Sequence, residues 1–375
     1  LSNPDTTVTL KINRPRQPIL VVGLLLFFLL SVVAELVART DFVQDRIPYQ
    51  AYGMNHTQLE LQLNILDKFV AENGPPDCFI FGSSQAFREI DPGVFASSFN
   101  RSGGEKLNCY NFGITGSQIW TTSLLGQILI RQYQPRLVII GTSFLDYTEG
   151  REYQIDERFK QNDWLEYRNG KFTIGGWLTA NSYAWRTITI LSYSAPSSLR
   201  YRAVLREAHK WDGEIAKSGF ALSTRNIDPD QPVEEGFVKN LQLEFGNFGI
   251  SERNLAALQE LIAFGQEQGA QVLLVEMAYH PALLDLKNPR GNPRANRELT
   301  LDFINRVNTR LTDIASQYKI NLLRYNPSLE IPETGWFDLY HLNRNGARKF
   351  SQWLGIQAAQ FIQLLPVATP TSGGN

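Results

Sequence analysis

From Pro18 to Ala34 the chain reads PILVVGLLLFFLLSVVA, an apolar run with no polar stripe, and after Glu35 it continues as Leu36-Val37-Ala38. A helix rising about 1.5 Å per residue needs roughly 20 residues to cross a bilayer core, so the run spans a membrane if Glu35 lies at the interface. A soluble core helix would carry a polar face, and the apolar core of a signal peptide is typically about 7–15 residues long. Val32-Val33-Ala34 does offer small residues to a peptidase, but the length of the run favours an uncleaved anchor over 18–38. Lys11, Arg14 and Arg16 precede it, whereas Arg39 and Arg46 beyond it are offset by Asp41 and Asp45. That bias predicts a cytoplasmic N-terminus, residues 1–17, with everything after about residue 40 extracytoplasmic.

Past the anchor, residues 56–73 carry Leu59, Leu63, Leu66 and Val70 at three- and four-residue steps, which predicts an amphipathic helix in a stalk or linker over 39–75. Short apolar runs then alternate with helical periods. Strands are predicted at 78–81, 108–112, 137–140, 272–275 and 321–325, and helices at 117–132, 251–268, 296–318 and 344–364. Alternation of this kind predicts an α/β fold, a parallel five-stranded sheet between two helical layers, over residues 76–364. The segment from about 143 to 250 is too long for a loop and reads as an inserted subdomain, with Trp164, Trp177, Trp185 and Trp211 in it. Those aromatics suit sugar rings or acyl chains, and equally a small core of the insertion's own. Residues 365–375 (LPVATPTSGGN) have no apolar period and read as a disordered tail.

Charge and composition remove several function classes. The 36 basic and 37 acidic residues nearly cancel, leaving no field to hold nucleic acid. Two cysteines, Cys78 and Cys109, supply neither a disulfide framework nor a zinc quartet, and His56, His209, His280 and His341 are scattered. No metal and no cofactor are implied. Cys78 and Cys109 occupy comparable places in two strands and outside the cytoplasm could oxidise to a bridge; adjacent parallel strands seldom offer disulfide geometry, so two buried thiols are favoured.

In such sheets ligands bind beyond the carboxyl ends of the strands. Past the first strand stands Gly82-Ser83-Ser84-Gln85, past the second Asn111-Phe112-Gly113-Ile114-Thr115-Gly116, and past the third Gly141-Thr142-Ser143. Near the end comes Trp336-Phe337-Asp338-Leu339-Tyr340-His341-Leu342-Asn343. Asp338 and His341 could instead cap the helix that Asn343 and Asn345 announce. His280, also just past a strand, is within possible reach of the same crevice.

The order of these blocks resembles that of the SGNH (GDSL-like) hydrolase superfamily: Gly-x-Ser, Gly, Gly-x-Asn, then Asp-x-x-His before the last helix. The resemblance spans about residues 77–145 and 270–364, and is nearest to membrane-anchored branches that handle acyl groups on cell-surface polymers, the D-alanylation and alginate O-acetylation proteins. It implies a flavodoxin-like three-layer sandwich, with Ser84 as nucleophile, His341 as base and Asp338 orienting the imidazole. It places the oxyanion hole at Ser84, Gly113 and Ser143, although Ser143 stands where the superfamily has asparagine, and loss of one donor typically costs about 10²–10³ in rate. The function so implied is an extracytoplasmic serine esterase or O-acyltransferase acting on an ester-linked acyl group, an acetyl by preference, of a cell-surface carbohydrate or polymer. The implied partners are the membrane, the acylated polymer and a membrane protein donating acyl groups. The alternative, motivated by Ser143 and the insertion, is a non-catalytic assembly or polymer-binding protein that keeps the fold.

Overall fold

The computed structural model describes residues 17–44, 46–47, 50–53, 56–149, 162–192, 213–227, 248–285, 297–325 and 329–362. Most of the expected cytoplasmic segment, His209, Trp211 and the expected tail lie outside the described residues.

Five strands form one parallel sheet: β1 (Cys78–Gly82), β2 (Cys109–Gly113), β3 (Leu137–Thr142), β4 (Gln271–Glu276) and β5 (Asn321–Leu323), in the order β2-β1-β3-β4-β5. This is the doubly wound order 2-1-3-4-5 of flavodoxin-like sheets, whose direction of winding reverses beside β1. The strands are nearly all apolar because both faces are covered. Phe79, Phe81, Tyr110, Phe112, Val138, Ile140 and Leu274 point to one side, and Cys78, Ile80, Cys109, Ile139, Leu273 and Val275 to the other.

On the first side pack α2 (Thr57–Asn73), α5 (Ile119–Tyr133), α9 (Glu252–Glu267) and α10 (Arg297–Tyr318); on the second pack α3 (Ser84–Glu89), α4 (Pro92–Arg101) and α11 (Arg344–Ala358). The chain is thus a three-layer α/β sandwich. α2, expected in a stalk, is part of a layer: Leu59, Leu63, Leu66 and Phe69 are buried with Phe79 and Tyr110, because its apolar stripe has the sheet to cover. α3 and α4 are additions to the expected pattern. α4 begins at Asp91-Pro92, where the Asp91 carboxylate accepts from the Gly93 and Val94 amides and proline takes the first helical position. The last helix stops at Ala358, short of the expected 364.

Before the sandwich runs α1 (Gln17–Ala38), apolar and exposed from Pro18 to Ala34, and long enough to cross a membrane. The expected insertion leaves and rejoins the sheet at one place, where Thr148 bridges Ile250 and Ser251 N–H donates to the Tyr147 carbonyl. Within it lie α6 (Asp163–Arg168), α7 (Ile174–Asn181) and α8 (Tyr183–Ser192). Trp164 belongs to the main core, packed edge-on against Tyr52, whereas Trp177 and Trp185 are exposed. Residues 213–227 run beside the second layer: Asn111 N–H donates to the Ser218 carbonyl and Ala221 N–H to the Phe87 carbonyl.

Candidate active site

β1 turns directly into α3 at a position only glycine fits. Gly82 has φ of +152°, and a Cβ there would stand 2.4 Å from the Gly141 carbonyl oxygen and 2.6 Å from Ala86 Cβ. The chain therefore reverses within two residues, with Ser83 as N-cap and Ser84 as the first residue of the helix, where backbone amides have no intrahelical acceptor. α3 is short, and side chains hold it in place. Asn111 Nδ2 donates to the carbonyls of Ala86 (2.8 Å) and Ile90 (2.7 Å), while Gln85 Nε2 donates to the Ala278 carbonyl at 3.0 Å. Ala278 N–H in turn donates to the buried Glu89 carboxyl at 2.8 Å.

The second half of the site hangs on one tight hairpin. Trp336 bridges Leu342, and Phe337 N–H donates to the His341 carbonyl at 2.9 Å, so Asp338 and His341 are brought face to face by the turn between them. Asn343 caps α11 just beyond, accepting from the Asn345 and Gly346 amides. The cap is thus Asn343, and the Asp338 and His341 side chains are left for each other. His341 Nδ1 lies 2.8 Å from Asp338 Oδ2, and His341 Nε2 lies 2.7 Å from Ser84 Oγ. The carboxylate accepts a hydrogen bond from Nδ1–H and so fixes that tautomer, which leaves the Nε2 lone pair facing the Ser84 hydroxyl. Burial alone would raise the Asp338 pKa, but the adjoining imidazole and the amides of Tyr340 and His341 outweigh it and hold the carboxyl below its usual value.

Neighbours frame this line of three side chains. The Tyr340 ring lies 4.1 Å from the His341 ring, centre to centre, and the Arg88 guanidinium stacks 4.1 Å over Phe337, with Arg225 on the same ring at 5.4 Å. None of these four residues belongs to the expected site. Arg88 had a legible sign, since it follows Ser84 by four residues and so shares its helical face. Arg225 had none, because residues 213–227 are brought to the site by tertiary contacts with residues distant in sequence, Trp336, Asn343 and Arg344 among them.

The expected oxyanion donors divide. The amide of Ser84 lies in the first turn of α3, but the amide of Gly113 donates to Asn111 Oδ1 at 2.8 Å and is committed. Gly113 answers a different demand: a Cβ would meet the Phe87 backbone nitrogen at 2.5 Å. Gly116, three residues on, sits in a turn with φ of +71° and nothing within 4 Å of its absent Cβ, and Ile114 N–H anchors that turn to the Gly82 carbonyl. Ser143 is buried; its amide donates to Asp146 Oδ2 at 2.8 Å, and its hydroxyl hydrogen meets no acceptor. His280 is not brought to the pair: its ring faces Glu333 at 3.0 Å through Nε2 and accepts from the Ala282 amide through Nδ1. Cys78 and Cys109 are opposite one another in β1 and β2, buried, and both free thiols.

No family model matches the chain, and no curated protein matches it. Solved structures that are similar to it include a lipase/acylhydrolase from Enterococcus faecalis (9% identical, 77% of this chain and 98% of that one, TM-score 0.35). Others are a GDSL-like lipase from Bacteroides thetaiotaomicron (13% identical, 79% and 97%, TM-score 0.33) and an alpha/beta hydrolase from the metagenome of Lake Arreo (12% identical, 75% and 94%, TM-score 0.31). Likenesses this distant carry nothing for function; the site's own geometry has to.

Proposed function

We propose that this chain is a membrane-anchored serine esterase or O-acyltransferase of the SGNH type, acting outside the cytoplasm on an ester-linked acyl group of a cell-surface carbohydrate or polymer. One observation carries the reading: Ser84 Oγ, the His341 ring and Asp338 lie in hydrogen-bonded sequence, at 2.7 and 2.8 Å, at the switch point of a doubly wound sheet.

In this reading Nε2 of His341 takes the hydroxyl proton as Ser84 Oγ attacks the ester carbonyl carbon, and Asp338 stabilises the imidazolium that forms. The tetrahedral oxyanion is held by the Ser84 amide and the Ser143 hydroxyl, with the Gly116 amide in the role first expected of Gly113, since the Thr115 amide donates to Gln58 Oε1 at 2.6 Å. As the intermediate collapses, the alcohol leaves with the proton from His341 and the acyl group stays on Ser84. Water then releases the acid, or a sugar hydroxyl takes the acyl group; the three side chains serve both outcomes alike. The acetyl preference and a membrane protein as acyl donor rest on the resemblance of the sequence blocks alone.

A second reading, a non-catalytic polymer-binding or assembly protein, draws on Ser143 in the asparagine position and on the committed Gly113 amide. A serine-directed fluorophosphonate separates the two. Wild type is expected to label covalently, Ser84→Ala to lose labelling completely, and Ser83→Ala to keep most of it. Folded wild type that resists several such probes would leave the binding protein as the better account.

A further inference from the structure

Residues 172–191 read FTIGGWLTANSYAWRTITIL, and Arg186 is the only charged residue among them. Its guanidinium is buried, donating to Gln50 Oε1 at 2.8 Å and to the Thr179 carbonyl. Apart from Asn181 at the end of α7, what the segment shows outward is apolar: Phe172, Ile174 and Trp177 at and along α7, and Trp185, Ile188 and Leu191 at three-residue steps on α8. Each helix so presents an apolar stripe. Water-facing helices of the same chain are built otherwise, as on α10, where Asp302, Arg306 and Arg310 are exposed and ion-paired.

The stripe is fixed to a particular height. Glu35, in the last turn of α1, accepts from Ser182 Oγ (2.8 Å), the Tyr183 amide (3.0 Å) and the Ala184 amide (3.1 Å), so its carboxylate caps the start of α8. Arg39 pairs with Glu35 at 2.7 Å and stacks 4.4 Å over the Tyr183 ring. Through these contacts α8 begins where the apolar run of α1 gives out, and Trp185 is two residues further. Tryptophan and tyrosine beside the end of a membrane-spanning helix are the residues that favour the headgroup level. An uncharged apolar face at that level matches lipid better than a protein partner, whose rim would ask for charge.

We infer that α7 and α8 form an interfacial element that lies in the membrane surface beside α1, with Trp177, Trp185 and Ile188 among the acyl chains and headgroups. This rests on reading α1 as a membrane span, and the test keeps the two apart. The native thiols are buried, so a nitroxide on one added cysteine reports one place. The full chain would carry Leu26→Cys, Trp177→Cys, Ile188→Cys or Asp302→Cys in turn, in phosphatidylcholine–phosphatidylglycerol liposomes. Accessibility to oxygen is then compared with accessibility to a water-soluble nickel chelate.

The expected result is that labels at 26, 177 and 188 favour oxygen while 302 favours nickel. Should 26 favour oxygen while 177 and 188 behave as 302 does, the anchor stands and the interfacial element is refuted. Should 26 itself favour nickel, the anchor reading has failed. Labels at 177 and 188 shielded from both reagents would mean that protein, a second copy or another chain, covers the stripe, and would also overturn the inference.

Discussion

Ser143 carries a hydroxyl that folding leaves without an acceptor, and this makes it a clean probe. A buried donor with nothing to bond adds no stability, so Ser143→Ala should leave the denaturation midpoint unchanged or slightly raised. If the hydroxyl serves the oxyanion, the same variant should slow fluorophosphonate labelling by about tenfold to a hundredfold, toward the range for loss of one such donor. An unchanged labelling rate would remove Ser143 from the site. Glu89 and Asp338 make opposite demands on pH. Burial pushes the Glu89 carboxyl well above its usual value, so wild type should lose stability as pH rises from about 4.5 toward the folded pKa. Glu89→Gln should lack that slope, its midpoint matching wild type near pH 4 and exceeding it at pH 7–8 in urea titrations. Asp338 is held low, so what it contributes is present above its unfolded pKa near 3.8 and is lost as pH falls through the lower folded value. Glycines mislead sequence reading at this scale. Gly113 and Gly116 look alike in the chain, yet one is needed because Phe87 presses on it and the other because its φ is positive.

At the scale of elements, the test of α2 is its energetic weight. Leu66 is buried, so Leu66→Ala should cost about 2–5 kcal/mol in chemical denaturation, as expected of a core leucine. A linker helix would show less than about 0.5 kcal/mol. The parallel strands were legible because burial on both faces writes them as unbroken apolar runs, and the long helices because their stripes repeat. The stripe of α2 was legible too, but not what covers it, since periodicity names a buried face and leaves its partner open. The spacing of Asp338 and His341 could be read as a pairing because a single turn closes it. The apolar pattern misses α4, although Asp91-Pro92 marks its start, and α3 is too short for any period; it is held by Asn111 and by bonds from its own Gln85 and Glu89 to the Ala278 backbone. Asn111→Ala should therefore cost about 2–4 kcal/mol, because it strands the Ile90 carbonyl and the Gly113 amide in the interior and takes one of the two donors from the Ala86 carbonyl. Melting at wild-type temperature would show that α3 needs no such brace.

Over the whole molecule, the proposed topology makes a plain demand: protease added to intact spheroplasts should digest the sandwich and spare α1, whereas protection until the membrane is opened would reverse the orientation. What no local pattern could reveal is how the insertion divides its aromatics, with Trp164 inward and Trp177 and Trp185 outward, since that depends on which surface each helix meets. Glu35 has a further consequence for where such a protein would settle. With its carboxylate spent on the start of α8, the uninterrupted apolar stretch is Pro18 to Ala34, about 17 residues or roughly 25 Å of helix. A typical hydrocarbon core is about 30 Å thick, and each ångström of mismatch costs a fraction of a kcal/mol. The chain should accordingly gather in the thinnest bilayer on offer, enriching in short-acyl domains of phase-separated vesicles, and lengthening the lipids should drive it out of them.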